Sequence, residues 1–107
     1  MSAFVISFEI GDRGDAAARR SSLIDKIAIE AMGSTWASDH LIVMNSDKTT
    51  ADLAFFLFHG TSLDRYQDQL LVFNLERGDF AAHGRVTDRS ALRALLVQEE
   101  GGRYAVA

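Results

Sequence analysis

The chain has 107 residues, 48% apolar and 24% charged, enough for one hydrophobic core and too few for two. With no cysteine it can build no disulfide, thiolate zinc site or thiol catalyst, and with no proline it holds no Pro-rich linker or ligand. Eleven basic against fifteen acidic residues give a net charge of −4, so any contact with nucleic acid must come from a local patch.

Met1 to Ile6 carries no basic residue ahead of its apolar run, unlike a secretory leader, and no apolar run approaches the ~20 residues a membrane helix requires. The expectation is a cytoplasmic protein with no membrane partner. Phe4 to Ile10 alternates as a strand, with Phe4, Ile6, Phe8 and Ile10 on one face and Val5, Ser7 and Glu9 on the other. Gly11 to Gly14 is a polar turn, and Asp15 can cap the helix that follows. From Ala16 to Met32, Leu23, Ile24, Ile27, Ala28, Ala31 and Met32 fall on one helical stripe, and Gly33 is the stop signal.

Ser34 to Ala37 and His40 to Met44 read as a hairpin split by Ser38 and Asp39. Thr49 or Thr50 can cap a second helix, with Leu53, Phe56 and Leu57 inward and Gly60 at its end. By spacing, Phe55, Phe56 and Phe58 are mostly core, with one of them turned outward. A loop from Thr61 to Asp68 leads into a strand at Gln69 to Leu75, then an edge strand at Phe80 to Val86. A third helix is expected from Asp88 to Glu100, with Leu92, Leu95 and Leu96 inward. The tail Arg103 to Ala107 reads as frayed or as a short added strand.

The order β-α-β-β-α-β with a C-terminal extension is the ferredoxin-like α+β pattern, two helices on one face of an antiparallel sheet. It implies a single domain over 1–107, with its core in 3–86 and an extension in 87–107. The opposite sheet face would carry Val5 and either Leu70 and Val72 or Leu71, Phe73 and Leu75. Both alternatives are apolar, so the pattern predicts a covering partner, most simply a second copy in a homodimer.

Ile6-Ser7-Phe8-Glu9-Ile10 resembles the strand-one opening of the small CRISPR-adaptation endoribonuclease family, and is closer still to that family's SinR-like relatives. Gly33-Ser34-Thr35-Trp36 with Ser38-Asp39-His40-Leu41-Ile42-Val43 is similar to their Trp-bearing hairpin. Asn45-Ser46-Asp47 leading to Thr50-Ala51-Asp52-Leu53 resembles their second-helix entry. Asp68 before Leu70-Leu71-Val72-Phe73, and Ala81-Ala82-His83-Gly84, resemble the segments that follow.

The resemblance implies a homodimer in which the residue at the Glu9 position of each copy meets its mate and holds Mg²⁺ or Mn²⁺ for phosphodiester cleavage. Nuclease members carry Asp there. Glu supplies the oxygen such cations require, but its extra methylene displaces the carboxylate by roughly a bond length.

Glu9 is therefore the first candidate, as metal ligand or general base, or else as a plain strand-end carboxylate. Asp12 would complete a carboxylate pair, or simply form the turn. Arg13, Arg19 and Arg20, near the start of the first helix, would hold the phosphates of RNA or DNA, or else lie as a solvated helix start. His83 is a candidate for acid/base chemistry on RNA, or else a plain surface or edge-strand histidine, and His40, His59 and His83 match no zinc spacing. Trp36 is a base-stacking platform or an interface residue. Gly11-Asp12-Arg13-Gly14 is neither a dinucleotide fingerprint nor a P-loop.

The acidic balance and the Glu in place of Asp favour a non-catalytic dimeric scaffold, with a nucleic-acid or protein partner. The alternatives are a metal-dependent nuclease acting on RNA or single-stranded DNA, and a small-ligand-binding ferredoxin-like dimer.

Overall fold

A computed structural model describes residues 1–96 and the strand at 104–106. It is an α+β fold, in chain order β1 (Ser2–Glu9), α1 (Ala16–Glu30), β2 (Trp36–Ala37), β3 (Leu41–Ser46), α2 (Thr50–His59), β4 (Gln69–Asn74), β5 (Phe80–Gly84), α3 (Arg89–Leu96) and β6 (Tyr104–Val106). The strands form one sheet in the order β2-β3-β1-β4-β5-β6. Its first five strands pair antiparallel, and β6 joins the outer side of β5 in parallel.

Alternation decides the two faces. On the helical side Phe4, Ile6 and Phe8 of β1, Ile42 and Met44 of β3, Leu70 and Val72 of β4 and Ala81 of β5 meet Leu23 and Ile27 of α1 and Leu53, Ala54, Leu57 and Phe58 of α2 in one buried cluster. Both helices start on side-chain caps: Asp15 accepts from the Ala18 N–H at 2.9 Å and Thr49 from the Asp52 N–H at 3.1 Å. α3 lies on the other side of the sheet, where Leu92 and Arg93 line a small space with Phe80 and Ala82.

Several boundaries differ from the sequence reading, each for a local reason. α1 ends at Glu30, because Ala31 turns extended and the Met32 N–H leaves the helix to donate to the Asn45 carbonyl at 2.9 Å. Ala28 is exposed and Met32 is 43% exposed, so the apolar stripe is shorter than expected. Two phenylalanines of α2 face outward, Phe55 and Phe56, and only Phe58 joins the core. Lys26 and Lys48 lie over the Phe56 ring at 5.9 and 5.0 Å, which shelters it without burying it. β5 is not an edge, since β6 pairs along it. Leu95, expected inward, is 67% exposed. The part of the third helix expected at 97–100 lies outside the described residues.

Candidate functional site

Three regions bear on function, and the first is structural. Arg19, grouped in the sequence with Arg13 and Arg20 as a phosphate holder, is buried, and its Nε donates to Asp68 Oδ2 at 2.9 Å. Its two terminal nitrogens donate to the carbonyls of Arg13 and Gly11, each at 2.7 Å. Asp68 is fully buried and also accepts from the N–H groups of Gly11 and Asp64, both at 2.8 Å. Each charge is thus matched inside the protein, and the pair clamps the β1–α1 turn to the start of β4. Arg20 donates to the Asp39 carbonyl and lies over the Phe8 ring at 5.3 Å. Arg13 is exposed. The three arginines therefore do not converge on one point.

The second region is the open sheet face. Pairing register sets Trp36 opposite Val43, Val43 opposite Val5, Val5 opposite Phe73, and Phe73 opposite Phe80. This is a continuous apolar row across five strands, with the Phe73 and Phe80 rings stacked at 5.9 Å; at its β5 end Phe80, beside α3, is buried, so the open part runs from Trp36 to Phe73. Leu41, Ser7, Leu71 and Ala82 form the neighbouring row. Of the two alternatives left by the sequence for β4, the structure selects Leu71 and Phe73 for this face and buries Leu70 and Val72 under the helices. Trp36 is 59% exposed and Leu75, just beyond β4, also 59%.

Glu9 ends β1 on this same open face, exposed, in a row with Gln69 and Gly84. Asp12 is exposed in the loop that follows. Among the described residues no three histidine, aspartate or glutamate side chains gather where they could hold a metal.

The third region was only partly legible in the sequence. At the end of the sheet where α2 stops and β5 finishes, Phe58, His59, Arg65, Tyr66, His83, Gly84 and Arg89 line a cleft of about 320 Å³. Its back wall is His83, 4% exposed, whose ring stacks on Phe58 at 5.4 Å and meets His59 edge-on at 5.4 Å. The Nε2 of His83 is buried with no hydrogen-bond partner among the described residues. Burial first, then the neighbouring His59 and Arg89, push the His83 pKa down to about 4, so the ring is neutral at pH 7.

The cleft's walls are fixed by backbone. Asp64 and Asp68 close a tight turn, with the Asp68 N–H on the Asp64 carbonyl at 2.8 Å and the Tyr66 N–H on Asp64 Oδ1 at 2.9 Å, and that turn presents Arg65 and Tyr66. That N–H bond, with a second from the Gln67 side chain, holds the Asp64 carboxyl below its usual range. Gly84 has φ +82°, and a Cβ there would sit 2.1 Å from the Asp68 carbonyl oxygen and 3.0 Å from the Phe58 ring. Only glycine permits this approach. Arg89 opens α3 and donates to the Gly84 carbonyl at 3.0 Å.

Sequence reading singled out His83 but missed Arg65 and Tyr66, on the turn before β4, and Arg89, at the start of α3, since no spacing links that turn to that helix. Comparison of this chain with known protein families, curated proteins and solved structures finds no match.

Proposed function

We propose that this protein is a ferredoxin-like homodimer acting as a non-catalytic interaction module in the cytoplasm, two copies joining through their open sheet faces. The observation that carries this reading is the apolar row Trp36, Val43, Val5 and Phe73, aligned in register on the face that α1 and α2 leave uncovered. The strand order β2-β3-β1-β4, with both of these helices on one side, supports the ferredoxin-like assignment. A contiguous apolar row on a small domain calls for a cover, and a two-fold axis supplies one by setting the same row against itself.

Sedimentation equilibrium tests the reading on the wild type, Val43→Lys and Trp36→Ser. The wild type is expected to be a dimer, and each variant is expected to shift to monomer with an unchanged circular dichroism spectrum. A wild type that stays monomeric at every concentration overturns it.

The metal-dependent nuclease reading keeps one supporting observation: Glu9 lies on the open face with Val5 and Ser7, the side a second copy would approach. Its test is cleavage of labelled RNA and single-stranded DNA with Mg²⁺, Mn²⁺ or chelator. Metal-dependent cutting lost in Glu9→Ala would replace the non-catalytic reading.

A further inference from the structure

The cleft at the end of β5 has a chemistry that the interaction-module reading leaves unused. Among the described residues it is lined by two arginines, two histidines and a tyrosine, and by no carboxylate, in a chain whose net charge is −4. The basic side chains converge from four parts of the fold: His59 ends α2, His83 lies in β5, Arg89 opens α3 and Arg65 stands on the turn before β4. Among the described residues neither Arg65 nor Arg89 is in an ion pair. Arg89 spends one nitrogen on the Gly84 carbonyl, and Arg65 spends one on the Tyr66 hydroxyl at 2.6 Å. A guanidinium has five N–H donors, so each retains donors for an oxyanion.

Two further features narrow the ligand. The cleft's volume of about 320 Å³ lies in the range of small-molecule sites rather than single-ion sites. Tyr66 is 68% exposed, with the Arg65 guanidinium over its ring at 4.8 Å, so an aromatic platform stands beside the cations. An aromatic ring next to convergent arginines suits a ligand that joins a flat base to a phosphate.

We infer that this cleft binds a nucleoside phosphate, the phosphate held by Arg65, Arg89 and His59 and the base stacked on Tyr66. His83 forms the wall behind the anion. Burial first, then His59 and Arg89, disfavour its imidazolium, so it faces the anion as a neutral ring. The free ligand and the terminal nucleotide of an RNA strand share this chemistry. The inference does not depend on dimerisation, because one chain supplies every residue.

Isothermal titration calorimetry with 5′-AMP, 5′-UMP, adenosine, inorganic phosphate and a short single-stranded RNA tests it on the full chain. The nucleotides are expected to bind at one site per chain, phosphate more weakly, and adenosine not at all. Arg65→Gln and Arg89→Gln should each weaken the nucleotides tenfold or more, and Tyr66→Ala should reduce them to the level of phosphate. Arg65→Gln alters an exposed turn residue, so it serves if Arg89→Gln disturbs α3. In NMR spectra of the histidine rings, saturating 5′-AMP should shift the signals of His59 and His83 and leave that of His40 in place. RNA binding alongside mononucleotide binding places the natural ligand at a strand end, within the proposal. No mononucleotide binding, or binding unchanged in both arginine variants, overturns it, as does binding to RNA alone.

Discussion

Arg19 and Asp68 lie 49 residues apart in sequence and meet as a buried ion pair, Nε to Oδ2 at 2.9 Å. The contact joins two turns that the Gln67 side chain also bridges, accepting from the Arg13 N–H at 3.0 Å and donating to the Arg13 carbonyl at 3.1 Å. Through Gly11 and Arg13 it fixes the exit of β1, and through the Asp64 N–H it fixes the turn that carries Arg65 and Tyr66. The Asp68 carbonyl also accepts from the Arg85 N–H at 2.9 Å, which ties the end of β5 to the same point.

Asp68→Ala is therefore expected to cost about 3–5 kcal/mol, because it strands a buried guanidinium and two backbone N–H groups at once. Urea unfolding followed by circular dichroism measures this. Arg20→Ala, which removes a bond to the Asp39 carbonyl and the contact over the Phe8 ring, should cost less, about 1–2 kcal/mol. Equal losses in the two variants would mean that the clamp carries no special weight.

Two glycines with positive φ should respond differently to alanine. At Gly84 the new Cβ meets the Asp68 carbonyl and the Phe58 ring, so strain adds to overlap and the loss should be about 3 kcal/mol or more. At Gly33, φ +85°, nothing lies within 4 Å, and the left-handed conformation alone should cost about 1 kcal/mol. Thermal melts of both variants give the comparison directly.

His83 makes stability depend on acid. Its folded pKa, about 4, lies below the ordinary 6.5, so the unfolded chain takes up the proton first. The stabilisation is complete above pH 6.5 and drains away as pH falls from there towards 4, with a total on the order of 2 kcal/mol. His83→Phe keeps a ring against Phe58 and removes the titration. The gap between wild type and variant, measured by urea unfolding at several pH values, should move in the variant's favour by about that amount over this window. A gap that stays constant with pH would exclude His83 as the source.

Glu9→Ala should leave stability within about 0.5 kcal/mol, since the side chain is exposed at the end of β1. A melt that falls well beyond this would give Glu9 a structural role and remove it as a free carboxylate for a metal.

Much of the architecture was legible because the apolar alternation of β1 and β4, the helix caps at Asp15 and Thr49 and the stop at Gly60 are local signals. The path of the chain after Gly84 was less so. Whether β5 is an edge depends on a strand twenty residues later, and no local pattern reports that pairing. Arg19 was misplaced for a related reason. An arginine near the start of an acidic-capped helix looks solvated until the fold brings Asp68 to it. Phe55 and Phe56 show the limit of periodicity, which marks an apolar stripe but not how much of it the sheet can cover.

The parallel pairing of β6 with β5 has a consequence for solubility. An unpaired strand edge presents a row of N–H and C=O groups that another chain can extend. Here the protein's own C-terminal strand occupies the outer edge of β5, while on the far side the Met32 N–H caps the Asn45 carbonyl of β3 beyond the two-residue β2. The two borders of the sheet are thus its shortest strands, β2 with two residues and β6 with three, which offer few groups to an incoming chain. Without β6 the border would be the five-residue β5, a longer template for strand addition.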